Sequence, residues 1–95
     1  MTTLHIEHPI TDLTAWLAAF DRFADARAKA GVQAQRVQHP VHDPNYIIID
    51  LDFTTTEDAQ RFLAFLNNTV WSSTDNAPAL AGTPQTRLLQ QAVAR

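Results

Sequence analysis

At 95 residues the chain is one domain with a modest core, since a chain this short buries only about two thirds of the surface its unfolded form exposes. Seven Lys and Arg (Lys29 the only lysine) against ten Asp and Glu give a formal charge of -3. That leaves no basic stripe for nucleic acid and no basic cluster for anionic lipid. With no cysteine, disulfides, thiolate catalysis and thiolate metal sites are excluded.

The opening "MTTLHIEHP" lacks the basic region and apolar run of a secretion signal. No apolar stretch approaches the ~20 residues of a membrane span. A cytoplasmic protein without membrane contact is the expectation. Thr3 to Glu7 alternates as a short strand, with Leu4 and Ile6 on one face and His5 and Glu7 on the other, and Pro9 is expected to end it.

Asp12 to Ala30 carries the strongest helical signal. Leu13, Trp16, Leu17, Phe20, Phe23, Ala24 and Arg27 recur at spacings of three and four, giving one apolar stripe. Asp12 or Thr11 suits the N-cap, and Gly31 the C-cap. Val32 to Gln38 reads as a second strand whose interleaved glutamines leave its inward face undecided. "HPVHDPN" is a loop, and Tyr46 to Phe53 is a third strand.

A second helix follows from a cap at Thr55 or Thr56, with Glu57 and Asp58 at its positive end and Ala59, Phe62, Leu63 and Leu66 along its stripe. Thr69 to Gly82 is irregular, with a helical turn expected near Val70 to Thr74. Pro84 to Val93 reads as the last strand.

The order β-α-β-β-α-β, with right-handed crossovers, places two helices on one face of a four-stranded antiparallel sheet. This is an α+β, ferredoxin-like architecture spanning residues 1–95 as a single domain.

"NYIIIDLDF" then poses a question, because consecutive Ile47, Ile48 and Ile49 make both faces of the third strand apolar. Ile47, Ile49, Leu51 and Phe53 fit the helix-covered face. Tyr46 and Ile48, with Leu89 beside them, fall on the other. A second copy packed sheet to sheet about a two-fold axis covers such a face economically. The competing reading folds the Thr69–Gly82 segment back over it.

The stretch "TDLTAWLAAFDRFADARAKAGVQAQRVQHPVHDPNYIIIDLDFTTTEDAQRFLAFL" resembles the dimeric α+β barrel superfamily. The likeness lies in Asp12–Trp16, the Phe20–Phe23 pair, Gly31, Asp43-Pro44-Asn45 and Asp52–Phe62, and it covers most of the chain. Such motifs speak to fold more than to activity. The superfamily includes cofactor-independent quinone-forming monooxygenases, haem-degrading enzymes, isomerases, cyclases and stress-induced proteins. The resemblance implies a homodimer. For the monooxygenase members it also implies catalysis without a cofactor, through an Asn, a Trp and an Arg. Here these are Asn67, Trp71 and Arg87. Those enzymes also place a Tyr near the Trp, whereas the only Tyr here is Tyr46. Haem degradation needs a late His ligand, and none follows His42.

His5, Glu7, Tyr46 and Ile48 are expected together on the open face, as ligand-binding residues inside the barrel. A His beside a carboxylate can act as a general base, though pairing with Arg36 or Arg87 weighs ahead of catalysis. His39 and His42, with Asp43, have ligand chemistry but no third partner, so no metal site is expected. Trp16, Phe62 and Phe65 read as packing residues. Trp71 is either a stacking wall or an anchor for the irregular segment.

Two functions stay open. One is cofactor-free monooxygenase-type chemistry on an aromatic or polyketide-like molecule. The other is a non-catalytic small-molecule-binding or stress-related dimer.

Overall fold

The computed structural model describes residues 1–92. Its elements are β1 (Thr2–Pro9), α1 (Leu13–Arg22), α2 (Ala24–Ala30), β2 (Val32–Gln38), β3 (Tyr46–Phe53), α3 (Thr56–Phe65) with a π-helical turn (Leu66–Val70), and β4 (Gln85–Gln90). The sheet runs β2-β3-β1-β4 with every neighbour antiparallel. This is the ferredoxin-like order expected from the sequence.

Strict alternation on the two central strands divides the molecule. Leu4 and Ile6 of β1 and Ile47, Ile49, Leu51 and Phe53 of β3 are buried under the helices, where they meet Trp16, Ala59, Phe62 and Leu66. Burying a side chain of this size stabilises the fold by roughly 1.5–3 kcal/mol, so these residues anchor it. The helix starts follow their caps. The Asp12 carboxylate accepts from the Ala15 N–H at 2.8 Å, and the Thr55 hydroxyl accepts from the Asp58 N–H at 3.1 Å.

The first helix is not continuous. Phe23, at φ -100° and ψ 14°, separates α1 from α2, so three helices rather than two lie on the sheet. No proline or glycine causes the break. The Phe20 carbonyl instead accepts from the Phe23 N–H and from the Arg27 guanidinium, and a side chain inserted into the hydrogen-bond ladder is an established source of kinks. Gly31 then closes α2 at φ 96°, a left-handed conformation that L side chains adopt only with strain.

The register settles the inward face of β2. Val32, Gln35 and Val37 pair opposite buried β3 residues, Ala34 and Arg36 opposite Asp52 and Asp50, and the irregularity between Val32 and Ala34 shifts the alternation. β1 runs past Glu7 to include Pro9, opposite Tyr46. The helical turn expected at Val70 to Thr74 lies earlier, as the π-helical turn closed by the Trp71 N–H on the Leu66 carbonyl at 2.7 Å. The last strand is shorter than expected, and Val93 lies outside the described residues.

The Trp71–Gly82 segment closes over the helix side. The Ala79 carbonyl accepts from the Thr11 N–H at 2.9 Å, the Pro9 carbonyl from the Ala81 N–H at 3.2 Å, and Ala79 is buried. The open sheet face is therefore left uncovered by the segment. That face also differs from the apolar surface expected of it. Tyr46, Ile48 and Leu89 stand around a charged network, described below.

Leu51→Ala should destabilise the fold by about 2–5 kcal/mol, the usual cost of deleting a fully buried leucine, whereas Val41→Ala on the exposed loop should change it by less than about 0.5 kcal/mol. Urea unfolding followed by far-ultraviolet circular dichroism would show the contrast.

Candidate functional site

The two faces of the sheet carry two different sets of polar groups. On the open face, His5 of β1 stands between carboxylates. Its Nδ1 lies 2.7 Å from Asp50 Oδ1 and its Nε2 lies 2.8 Å from Glu7 Oε2. Carboxylates accept, so satisfying both contacts requires both ring nitrogens to donate, which makes the ring an imidazolium.

The Tyr46 hydroxyl donates to the other Glu7 oxygen at 2.6 Å, the Thr3 hydroxyl donates to Asp52 at 2.6 Å, and Arg36 lies 3.5 Å from Asp52. The Glu7 hydrogen bond, ahead of the pull of Asp50, raises the His5 pKa against the opposing effect of burial. The Tyr46 hydroxyl, then His5, lowers that of Glu7. The Glu7 carboxylate raises that of Tyr46. A His with both nitrogens occupied has no lone pair to offer. The arrangement is that of a structural ion network and not of a poised base, and the partners of His5 are Glu7 and Asp50, where Arg36 or Arg87 was expected.

The helix side holds a cavity of about 70 Å³. Its walls are Ile6, Trp16, Phe20 and Trp71 among others, and two of its lining residues carry strong polar chemistry, His8 and Arg27. β1 delivers His8, because the parity that buries Leu4 and Ile6 also buries residue 8. Only 2% of His8 is exposed. Its Nδ1 lies 2.9 Å from the Pro9 carbonyl, which can only accept, so Nδ1 carries the proton. Among the described residues Nε2 has no hydrogen-bond partner. Burial, outweighing the Pro9 contact, lowers the His8 pKa and keeps the ring neutral near pH 7. Trp16 and Trp71 flank it, each with its ring centroid 6.5 Å away. A neutral imidazole with a bare Nε2 in an apolar box is a competent proton acceptor.

The sequence-predicted site residues are divided by the sheet. Trp71 lines the cavity. Asn67 is exposed on the π-helical turn and Arg87 is exposed on β4, opposite His5 on the open face, so neither joins Trp71. Asn67, Trp71 and Arg87 thus do not share this cavity. The π-helical turn changes the angular step between residues 67 and 71, and the parity of β4 turns residue 87 away from the helices. His5, Glu7, Tyr46 and Ile48 do share the open face. His39 and His42 stay on the exposed loop, where His39 donates to the Pro40 carbonyl. Trp16, expected only as packing, stacks on Phe20 at 4.9 Å and also walls the cavity. His8 went unremarked in the sequence, although continuing the Leu4–Ile6 alternation by one step finds it.

Comparison with known proteins supports the fold. No family model matches the chain and no curated protein does. Solved structures match along almost its whole length. The cofactor-independent oxygenase SnoaB from Streptomyces nogalater has a TM-score of 0.75 at 15% identity, over 98% of this chain and 94% of that one. A Deinococcus radiodurans protein provisionally named an antibiotic biosynthesis monooxygenase has a TM-score of 0.75 at 12% identity, over 100% and 96%. An antibiotic biosynthesis monooxygenase structure has a TM-score of 0.72 at 9% identity, over 98% and 100%. The chain thus has the ferredoxin-like α+β fold of antibiotic biosynthesis monooxygenase structures.

The two histidines should act on stability with opposite signs. The raised pKa of His5 means its imidazolium stabilises the fold fully below the unfolded value of 6.5, a contribution lost as pH rises through the higher folded value. His8 is held below 6.5, so its contribution is present above that pH and fades as pH falls toward the lower folded value. Thermal midpoints measured from about pH 5 to about pH 8 should therefore lose their alkaline-side decline in His5→Gln and their acid-side decline in His8→Gln.

Proposed function

We propose that the protein binds a small aromatic molecule in the helix-side cavity and oxidises it with dioxygen without a cofactor, as a homodimer. The observation that carries this reading is the neutral His8, its Nε2 bare, in a cavity walled by Trp16 and Trp71. Membership of the fold shared with SnoaB gives the reaction class its support.

The chemistry asks little of the protein. Nε2 of His8 takes the proton of a phenolic hydroxyl, and the resulting phenolate is electron-rich enough to bond dioxygen at a ring carbon. The peroxide oxygen takes the proton back from His8. The O–O bond of the hydroperoxide then breaks, and its OH leaves with the ring hydrogen as one water, which makes a second carbonyl. One oxygen atom ends in the quinone and the other in water. The aromatic walls hold the ring flat, and their low polarity raises the phenolate's reactivity by denying it hydration.

At about 70 Å³ the cavity is smaller than the roughly 150 Å³ space that takes up benzene in an engineered core. The reading is therefore a single-ring substrate, admitted with some movement of the irregular wall formed by Trp71, Asn76, Ala77, Ala79 and Leu80, in place of a polycyclic polyketide. Binding without turnover is the second reading, favoured by the position of Arg87 on the far face of the sheet. Sheet-to-sheet pairing through Ile48, Tyr46 and Leu89 would cover the open face and shield its ion network from water.

Oxygen uptake with simple phenols and no added metal or flavin separates the two readings. Under the first, His8→Gln lowers the rate by about 100-fold or more while the circular dichroism spectrum is kept. Trp71→Phe lowers turnover or ligand affinity by about tenfold with little loss of stability. No uptake above the protein-free rate would leave binding alone.

Sedimentation equilibrium at micromolar concentration should give a dimer, and Ile48→Asp should dissociate it, because the new carboxylate would be buried without a partner. A well-behaved monomeric wild type would rule out the dimer.

A further inference from the structure

Arg27 is the anomaly of this molecule. The residue is buried, at 6% exposure, and it lines the same cavity as His8. Burial lowers its pKa, and only the more distant pull of Asp21 opposes that. Among the described residues the ion pairs involve His5, Arg36 and Arg61; no carboxylate lies within 4.0 Å of Arg27.

Nε donates to Gln35 Oε1 at 3.1 Å, Nη1 donates to the Phe20 carbonyl at 2.6 Å, and the guanidinium carbon sits 3.6 Å from the Phe20 ring centroid. These contacts fix the plane of the group and use two of its five N–H bonds. The end of α1 offers it only a partial negative charge, and the Phe20 face a quadrupole. Neither replaces a counter-ion, and a buried charge without one is costly. The cost is understandable if the missing anion is a ligand.

The geometry connects this cation to the proposed base. The guanidinium lies on Phe20, Phe20 stacks on Trp16 at 4.9 Å, and Trp16 faces His8 at 6.5 Å. Resting on the reading that this cavity is the ligand site, we propose that its ligand is a single-ring aromatic carboxylic acid, whose carboxylate is held by Arg27 while the ring packs against the aromatic wall. A planar guanidinium with donors to spare matches a carboxylate, and the apolar remainder of the cavity selects a ring. His8 then faces ring substituents and not the acid group, so a hydroxybenzoate-type acid presents its ionised oxygens to Arg27 and an ionisable one to His8.

The chain's two tryptophans, Trp16 and Trp71, both line the cavity, so intrinsic fluorescence reports on it directly. Titration of the wild type with benzoate, and with benzamide as its neutral counterpart, at millimolar concentration should give at least about tenfold tighter binding of benzoate. Benzoate should also raise the thermal midpoint with concentration, and benzamide should not. Arg27→Met should abolish the preference and Arg27→Lys should keep part of it. The wild-type comparison decides the matter even if Arg27→Met fails to fold.

Equal binding of the two probes, no response to either, or a preference surviving in Arg27→Met would overturn the proposal. Selective benzoate binding without oxygen uptake on hydroxybenzoates would instead refute the oxidation reading and leave the anion site standing. Selectivity kept in His8→Gln while oxygen uptake is lost would support both.

Discussion

The parity of two central strands governs this molecule. β1 and β3 lie side by side in the middle of the sheet, and each sends alternate residues to opposite faces. On one side this yields Leu4, Ile6, Ile47, Ile49, Leu51 and Phe53, a surface that holds three helices in place. On the other it yields Thr3, His5, Glu7, Asp50 and Asp52, a surface of hydrogen bonds and ion pairs. A slip of one residue in either strand would bring carboxylates into the core, so the register is fixed by an energy far larger than any single contact. The same rule places His8 under the helices and His5 above the sheet, and so determines that one is neutral and the other charged.

Much of the architecture could be read from the chain, because its signals are local and repetitive. The β2 and β3 boundaries, the caps at Asp12 and Thr55 and the burial of alternate β3 residues follow from patterns a few residues long. What escaped depended on side-chain and backbone contacts that local periodicity does not encode. The break at Phe23 arises from Arg27 reaching back to the Phe20 carbonyl and across to Gln35 on β2. The apolar stripe of the first helix contained Arg27 but could not show that, among the described residues, no carboxylate would come within 4.0 Å of it. The side taken by the Trp71–Gly82 segment is set by backbone bonds from Thr11 and to Pro9, some seventy residues upstream in sequence.

The site was harder to read than the fold. Resemblance supplied three residues as a set, and the fold does not bring them to one cavity. Arg87 is on an edge strand whose alternation turns it to the open face. Asn67 is exposed because a π-helical turn alters the step to Trp71. Function carried by a few side chains can move to other positions of a fold while the backbone is kept, which is why structural likeness at 9–16% identity speaks to architecture and leaves chemistry to be argued from the cavity itself. There the two titratable residues are His8 and Arg27. One is legible from strand alternation and the other from the helical stripe, but neither is conspicuous until both are seen to line the same space.

The division of charge between the two faces is what the proposed chemistry of the cavity rests on. The open face satisfies its charges internally, with His5 bridging two carboxylates and Arg36 beside a third. The helix side does the reverse, leaving one imidazole lone pair and one guanidinium in apolar surroundings with no internal partner for the charge. In water each would interact weakly with an incoming anion or proton, whereas in a space lined by Trp16, Phe20 and Trp71 the same groups act through a lower effective dielectric. A ligand that brings its own negative charge lowers the cost of burying Arg27, and the Arg27 charge in turn favours the deprotonated form of whatever hydroxyl His8 meets. In the proposed complex, base and cation would reinforce one another through the ligand that joins them, and the stability forgone by burying a guanidinium without a counter-ion would become binding energy as the cavity fills.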